Sequence, residues 1–167
     1  MKLQHLAGAA CVLGLAAAPA CAAAVEVKFT DAERYADAGN TRWDERANLE
    51  VLARHFKAMG GRYLPKDQTL SIEVLDVDLA GESWPSRRGY NIRVVRGMAD
   101  WPRITLRYTL QGPGGEMLRQ GEERISDPGY TGRSVTFGDS DALRYEKRML
   151  DEWFRKNFTR NQAQAGG

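Results

Sequence analysis

Along residues 69–79, apolar side chains occupy alternate positions: Leu70, Ile72 and Val74, then Leu75, Val77 and Leu79. Successive side chains of a strand point to opposite faces. Such a run is therefore a strand with one face on a core and one on water. The two sets are out of phase by one residue between Val74 and Leu75. A single β-bulge there is expected to return all six apolar residues to one face. Glu73, Asp76 and Asp78 then share the opposite face. A sheet built on this strand needs a layer over its apolar side, and the rest of the chain must supply it.

Two amphipathic helices can form that layer. Thr41 caps a helix over residues 42–59, with Asp44 and Glu45 in its first turn, where the helix dipole favours acids. Leu49, Leu52, Ala53, Phe56 and Met59 recur at helical spacing, and Gly60-Gly61 is expected to stop it. A last helix is expected to run from a cap at Asp139 or Ser140 to about Phe158. It presents Leu143, Met149, Leu150, Trp153, Phe154 and Phe158 on one side. Further strands are marked by Val25, Val27 and Phe29, by Tyr90, Ile92 and Val94, and by Ile104, Leu106, Tyr108 and Leu110. Gly112-Pro113-Gly114-Gly115 is a turn, and residues 116–126 return as its hairpin partner with poor alternation. Asp127-Pro128-Gly129 closes that unit and residues 130–139 read as loop. The expected fold is an α+β two-layer sandwich. Two helices pack on one face of a four- to five-stranded, mainly antiparallel sheet, with Leu52, Phe56, Leu150 and Phe154 in one core.

The first residues read as a targeting segment. Lys2 precedes an uncharged apolar run over residues 6–18, Pro19 breaks it, and Ala20-Cys21-Ala22 and Ala22-Ala23-Ala24 both fit an A-x-A cleavage site. The run is shorter than the roughly 20 residues that a membrane span needs. A lipoprotein signal is the alternative, but neither Cys11 nor Cys21 is preceded by the residues that lipid attachment favours. Residues 1–24 are thus expected to be a removed signal peptide, residues 25–158 a single domain and residues 159–167 a mobile tail. Removing the leader of this 167-residue chain takes both cysteines and His5, leaving His55 as the one histidine. The exported domain then has no disulfide, and its apolar core alone must hold it. The expected location is the periplasm or the medium, with no transmembrane segment in the mature chain.

Composition and motifs exclude several chemistries. The chain carries 24 Lys and Arg against 22 Asp and Glu, without the basic excess of a nucleic-acid binder. Without cysteine, the mature chain has no thiol nucleophile and no thiolate metal site. His55 could serve a Ser-His-Asp triad, but no Gly-x-Ser-x-Gly elbow accompanies it, and beside Phe56 it reads as a partly exposed helix-surface residue. No glycine-rich phosphate loop is present, and nothing calls for a cofactor.

Asp76 and Asp78 are the most chemical pair. At strand spacing their carboxylates leave one face roughly 6.5–7 Å apart. They are candidates for a divalent cation or for acid–base hydrolysis. The preferred reading is structural: Arg93, Arg103 and Arg107 occupy outward positions on the other strands and pair with them. Glu73, Asp76, Asp78, Arg93, Arg103 and Arg107 therefore form a candidate polar surface on the sheet. Trp84 and Trp101, each followed by proline, are candidate aromatic contacts, with a fold-back that plugs the end of the core preferred. In the last helix region, Arg144, Lys147, Arg148, Arg155, Lys156 and Arg160 are interleaved with Asp141, Glu146, Asp151 and Glu152 as on a solvated face.

Three segments carry a resemblance. They are Val25-Glu26-Val27-Lys28-Phe29-Thr30-Asp31 with Glu33-Arg34-Tyr35, then Asp76-Val77-Asp78-Leu79-Ala80-Gly81, and Leu143-Arg144-Tyr145-Glu146-Lys147 with Met149-Leu150-Asp151 and Trp153-Phe154. In these the chain resembles the exported bacterial proteins of domain-of-unknown-function family 3016. The resemblance implies an exported protein of Gram-negative bacteria and brings no activity, cofactor or catalytic residue. The order of elements is also similar to small envelope accessory proteins with two helices on a four-stranded sheet, an analogy of fold alone. The expectation is a non-catalytic binding or accessory module of the envelope, whose partner is an envelope protein or a small ligand. The alternative is a carboxylate-based hydrolase or divalent-metal enzyme using Asp76 and Asp78.

Overall fold

The computed structural model describes residues 24–89, 91–97, 99–132 and 141–159. The leader (but for Ala24), Tyr90, the loop residues from 133 on, the caps Asp139 and Ser140, and the tail beyond Thr159 lie outside the described residues. The elements are β1 (Ala24–Phe29), α1 (Arg42–Tyr63), β2 (Thr69–Asp78), β3 (Glu82–Pro85), β4 (Asn91–Val94), β5 (Arg103–Gln111), β6 (Met117–Ser126) and α2 (Arg144–Phe158), with single 3₁₀ turns at Ala32–Arg34 and Tyr130–Gly132.

The main sheet has the order β1-β2-β5-β6. β1 runs parallel to β2 and the other pairs are antiparallel. A parallel pair needs a crossover, and α1 provides it. Leu70, Ile72, Val74 and Val77 of β2 and Ile104, Leu106, Tyr108 and Leu110 of β5 are buried in one cluster with Leu52 and Phe56 of α1 and Leu150 and Phe154 of α2. Both helices thus cover the same face, and the expected α+β sandwich is the fold. Around Trp153 the rings meet edge-on: Phe154 at 5.0 Å, Phe158 at 5.4 Å and Tyr108 at 5.7 Å between centroids. Such pairs add about 0.5–1.5 kcal/mol each beyond the area they bury.

The bulge in β2 falls where the phase slips. Val74 pairs with Leu106 and Asp76 with Thr105, so Leu75 has no partner of its own. It is half-buried and outside the core, which corrects the expectation that all six apolar residues share the inner face. The extra residue of a bulge has no full place on either face. β1 detours at the same point. Thr30 N donates to Val74 O at 3.1 Å, the chain passes through the 3₁₀ turn, and Asp37 N rejoins β2 at Val77 O at 3.0 Å. Asp31 opens the detour at φ 51°, the left-handed region that aspartate tolerates better than most residues.

Helix α1 starts as expected: Thr41 accepts from Asp44 N at 3.1 Å and donates to Asp44 Oδ2 at 2.9 Å. A cap of this kind contributes about 1 kcal/mol. The helix does not stop at Gly60-Gly61; it continues to Tyr63 and ends at Leu64, held extended by Pro65. Gly60 serves a different purpose. A Cβ on it would lie 1.9 Å from Val25 Cγ2, so its lack of a side chain lets α1 close on β1. Helix α2 starts at Arg144, with Asp141 Oδ1 accepting from Leu143 N at 3.0 Å just before it.

The segment marked by Tyr90, Ile92 and Val94 is not a strand of the main sheet. β4 pairs only with β3, in a separate two-stranded ribbon. All four residues of β3 are exposed, and none of β4 is buried. The Trp84-Pro85 step explains its position, because proline cannot donate to a ladder and is confined to edge strands.

Candidate functional site

The outer face of the sheet bears no helix among the described residues and is crossed by a line of charge. Lys28, Glu73, Arg107 and Glu122 are in register across all four strands. Arg107 donates from Nη1 to Glu73 Oε2 at 3.0 Å and from Nη2 to Glu122 Oε2 at 2.9 Å. Lys28 Nζ lies 3.8 Å from Glu73 Oε1, which also accepts from the Thr30 hydroxyl at 2.8 Å. The Thr30 hydrogen bond, then Lys28 and Arg107, hold the Glu73 carboxyl below the usual range. These are exposed pairs, screened by solvent and weak one by one.

Asp76 and Asp78 have separate structural partners. Asp76 Oδ1 accepts from Ala36 N at 2.9 Å, securing the end of the β1 detour. Asp78 Oδ2 accepts from Arg103 Nε at 2.8 Å and from its Nη2. The hollow that holds Asp76 is lined by Thr30, Asp31, Arg34, Ala36 and Leu75 and does not include Asp78. Among the described residues, no three His, Cys, Asp or Glu side chains come together as a metal-binding group. Arg93 is not on a strand of this sheet. It lies in the ribbon, where Nη1 donates to Ala80 O at 3.2 Å and Gly81 O at 3.0 Å and Nη2 to Asp37 Oδ1 at 2.9 Å. The polar surface therefore gathers Glu73, Asp76, Asp78, Arg103 and Arg107, while Arg93 fastens the root of the ribbon.

The ribbon and its return, residues 82–97, form an arm. Trp84 and Ile92 face each other across the two strands and stand 42% and 43% exposed. Arg96 lies over the Trp84 ring at 4.2 Å, and Trp84 Nε1 donates to Glu82 Oε2 at 3.1 Å. Arg87 and Arg88 are exposed at the tip, with no side-chain partner among the described residues. Trp84 does not plug the core. Trp101 is half-buried beside Arg103, whose guanidinium carbon is 5.3 Å from its ring centre. An isolated two-stranded hairpin is marginal in water, so the arm depends on its anchors. Besides Arg93, Gly81 N donates to Asp100 O at 2.8 Å, Arg96 N to Asp100 Oδ2 at 2.7 Å and Gly97 N to the buried Tyr130 hydroxyl at 3.2 Å.

Below the arm, α2 hides charge rather than displaying it. Glu146 is only 1% exposed, and its Oε1 accepts from Ala80 N at 2.7 Å while Oε2 has no hydrogen-bond partner among the described residues. Burial pushes its carboxyl above the ordinary range, against the Ala80 amide and the charges of Arg93 and Arg144. Arg148 is 8% exposed, and its Nη2 donates to Asp127 Oδ2 at 2.6 Å and to Tyr130 O at 2.7 Å. His55 is also buried and not on the helix surface. Its Nε2 lies 2.8 Å from Asp151 Oδ1 and 3.1 Å from Lys147 O, so it carries the proton, since a carbonyl can only accept. The alternating charges of this helix concealed these roles, because an i,i+4 pattern does not reveal which side faces the core. Trp43, 79% exposed at the start of α1, also went unmarked for want of any motif.

An open groove of about 710 Å³ lies between β6 and α2, lined by Arg124, Glu152, Trp153, Arg155 and Lys156 among others. No helix among the described residues is long and apolar enough to cross a membrane. Taken together, the fold and the arm define a small α+β sandwich with an exposed aromatic and cationic ribbon at one end. The family described as "Protein of unknown function (DUF3016)" matches residues 23–156, and the chain belongs to it. No curated protein matches the chain.

Proposed function

We propose that this protein is an exported, non-catalytic binding or accessory module of the bacterial cell envelope, working in the periplasm and docking through its 82–97 arm. The observation that carries this reading is the arm itself. It exposes a cross-strand Trp84–Ile92 pair, with the Arg96 guanidinium over the Trp84 ring and Arg87 and Arg88 at the tip. Folding alone does not require such a pair, and exposed aromatics rimmed by polar groups mark contact surfaces. Export is supported by the leader pattern and by the start of the family match at residue 23. Of the two cleavage sites, the one after Ala22 leaves β1 whole, whereas cleavage after Ala24 removes its first residue and the 3.3 Å bond from Ala24 N to Gln68 O.

Fractionation of expressing cells tests this. The periplasmic form should begin at Ala23 by intact mass and sediment with isolated envelopes, and Trp84→Ala with Ile92→Ser should release it to the supernatant. A full-length mass, or sedimentation unchanged by the double substitution, overturns the reading.

A further inference from the structure

We propose that the 82–97 arm is a docking surface for a lipid bilayer bearing anionic phospholipid headgroups. This rests on the arm being the binding element and adds what it binds.

Charge is the first argument. The arm holds Arg87, Arg88, Arg93 and Arg96 against Glu82 alone, a net +3, on a chain whose total is +2. The ribbon's charge thus exceeds that of the whole chain, and the remaining residues sum to −1. Arg93 is engaged by Asp37. Arg87 and Arg88 at the tip and Arg96, whose guanidinium lies over the Trp84 ring, are all exposed. Such a cluster is attracted to a negatively charged leaflet.

The apolar part is the second argument, and it selects a bilayer over other polyanions. Trp84 and Ile92 lie on one face of the ribbon. An indole settles at the boundary of headgroups and acyl chains, and long arginine side chains keep their charge in the headgroups while their stems lie in the apolar layer. Isoleucine offers no ring on which a nucleobase could stack. The combination of apolar insertion with several cations is what stable but reversible surface binding requires. Trp43 is at the same end of the molecule, since Asp37 accepts from both Gly39 N, just before α1, and Arg93. It is followed by Asp44 and Glu45, so the arm leads the contact.

The test is co-sedimentation of the exported form with vesicles of phosphatidylethanolamine and phosphatidylglycerol, and with vesicles of phosphatidylcholine alone. Binding is expected to the first and not to the second, weakening as salt is raised. Each arginine lost should reduce partitioning about fivefold, so Arg87→Gln with Arg88→Gln should lower it roughly 25-fold. Trp84→Ala should remove the blue shift in tryptophan emission that accompanies binding. Both sets of side chains are exposed, so these variants keep the fold. A protein that stays in the supernatant with anionic vesicles, or a double arginine variant that partitions like wild type, overturns the proposal. If the protein ignores vesicles but still sediments with whole envelopes through its arm, and protease treatment of those envelopes abolishes this, the partner is an envelope protein. The lipid proposal then fails and the arm's role stands. If it sediments with neither, both fail.

Discussion

Helix α2 and the 82–97 arm invert the usual distribution of side chains in opposite directions. The helix buries Glu146 and Arg148, and the arm exposes Trp84 and Ile92. In the helix the buried charges act as fasteners. Glu146 holds the Ala80 amide where the arm begins, and Arg148 holds Asp127 and the Tyr130 carbonyl, whose own hydroxyl receives the arm's return at Gly97. A buried polar group is tolerated only when partnered, so each of these contacts fixes a loop in place. In the arm the apolar pair stays partly exposed, with the Arg96 guanidinium over the Trp84 ring. The anchoring and the exposed parts thus belong to one device: polar groups inside the domain set the position of apolar groups outside it.

The comparison breaks most severely if the core around α2 does not carry the fold. Phe154→Ala should cost about 3–5 kcal/mol, a large share of the ~5–15 kcal/mol total expected for such a domain. A urea midpoint like that of wild type would contradict its burial. Arg148→Ala should cost about 3 kcal/mol or slightly more, because it leaves Asp127 buried without its cation. It should also speed amide exchange in residues 127–132, and protection as in wild type there would show that Arg148 is no fastener.

Glu146→Gln sharpens the comparison through pH. The carboxyl is raised in the folded state above its ordinary value of 4.5, chiefly by burial. The native state therefore holds this proton more tightly than the unfolded chain. Its favourable contribution is complete below about pH 4.5 and is lost as pH rises through the raised value. The glutamine variant should melt above wild type at neutral pH, with the gap closing on acidification towards 4.5. Parallel melting curves across that range would mean that the carboxyl is not desolvated.

The smaller effects lie on the surface. Asp78→Asn weakens a part-exposed pair with Arg103 and should cost about 0.2–1 kcal/mol. Its melting should respond to millimolar Ca²⁺ or Mg²⁺ as wild type does; a metal-specific shift lost in the variant would restore the metal-enzyme alternative. Smallest of all, Trp84→Ala with Ile92→Ser should leave stability within about 0.5 kcal/mol of wild type while abolishing envelope association. A large loss of stability would show that the pair is part of the fold.

Much of the fold is legible in local pattern. The alternation of β2 and β5, the Thr41 cap, the glycine-rich turn after β5 and the apolar side of α2 all follow from periods of two and 3.6 residues and from short-range hydrogen bonding. The phase slip even locates the bulge. The candidate site is less legible. Arg103 and Arg107 lie where alternation puts them, but Arg93 obeys the same alternation on a strand that belongs to a different sheet. Strand β6 is legible as the hairpin partner of β5, but its inward face is not, for a specific reason. Gly121 faces the Tyr108 ring, Glu123 takes the Trp153 indole N–H at 2.8 Å, and Arg119 reaches Asn157, so its inward positions look polar.

Local pattern marks most of the helices and strands, though not β3, along with the apolar side of each and the need for two helices to cover one sheet. These depend on neighbours within a few residues. Tertiary structure alone decided that β4 pairs with β3 and not with the sheet, that α1 runs through Gly60 because Val25 lies against it, and that Leu75 leaves the core. It alone decided that Glu146, Arg148 and His55 turn inward. Each of these depends on groups brought close from distant parts of the chain: Ala80 is 66 residues from Glu146, and Asp151 is 96 from His55. Periodicity records which side of an element is apolar; it carries no information about which distant backbone amide or carbonyl will need a partner once the layers close.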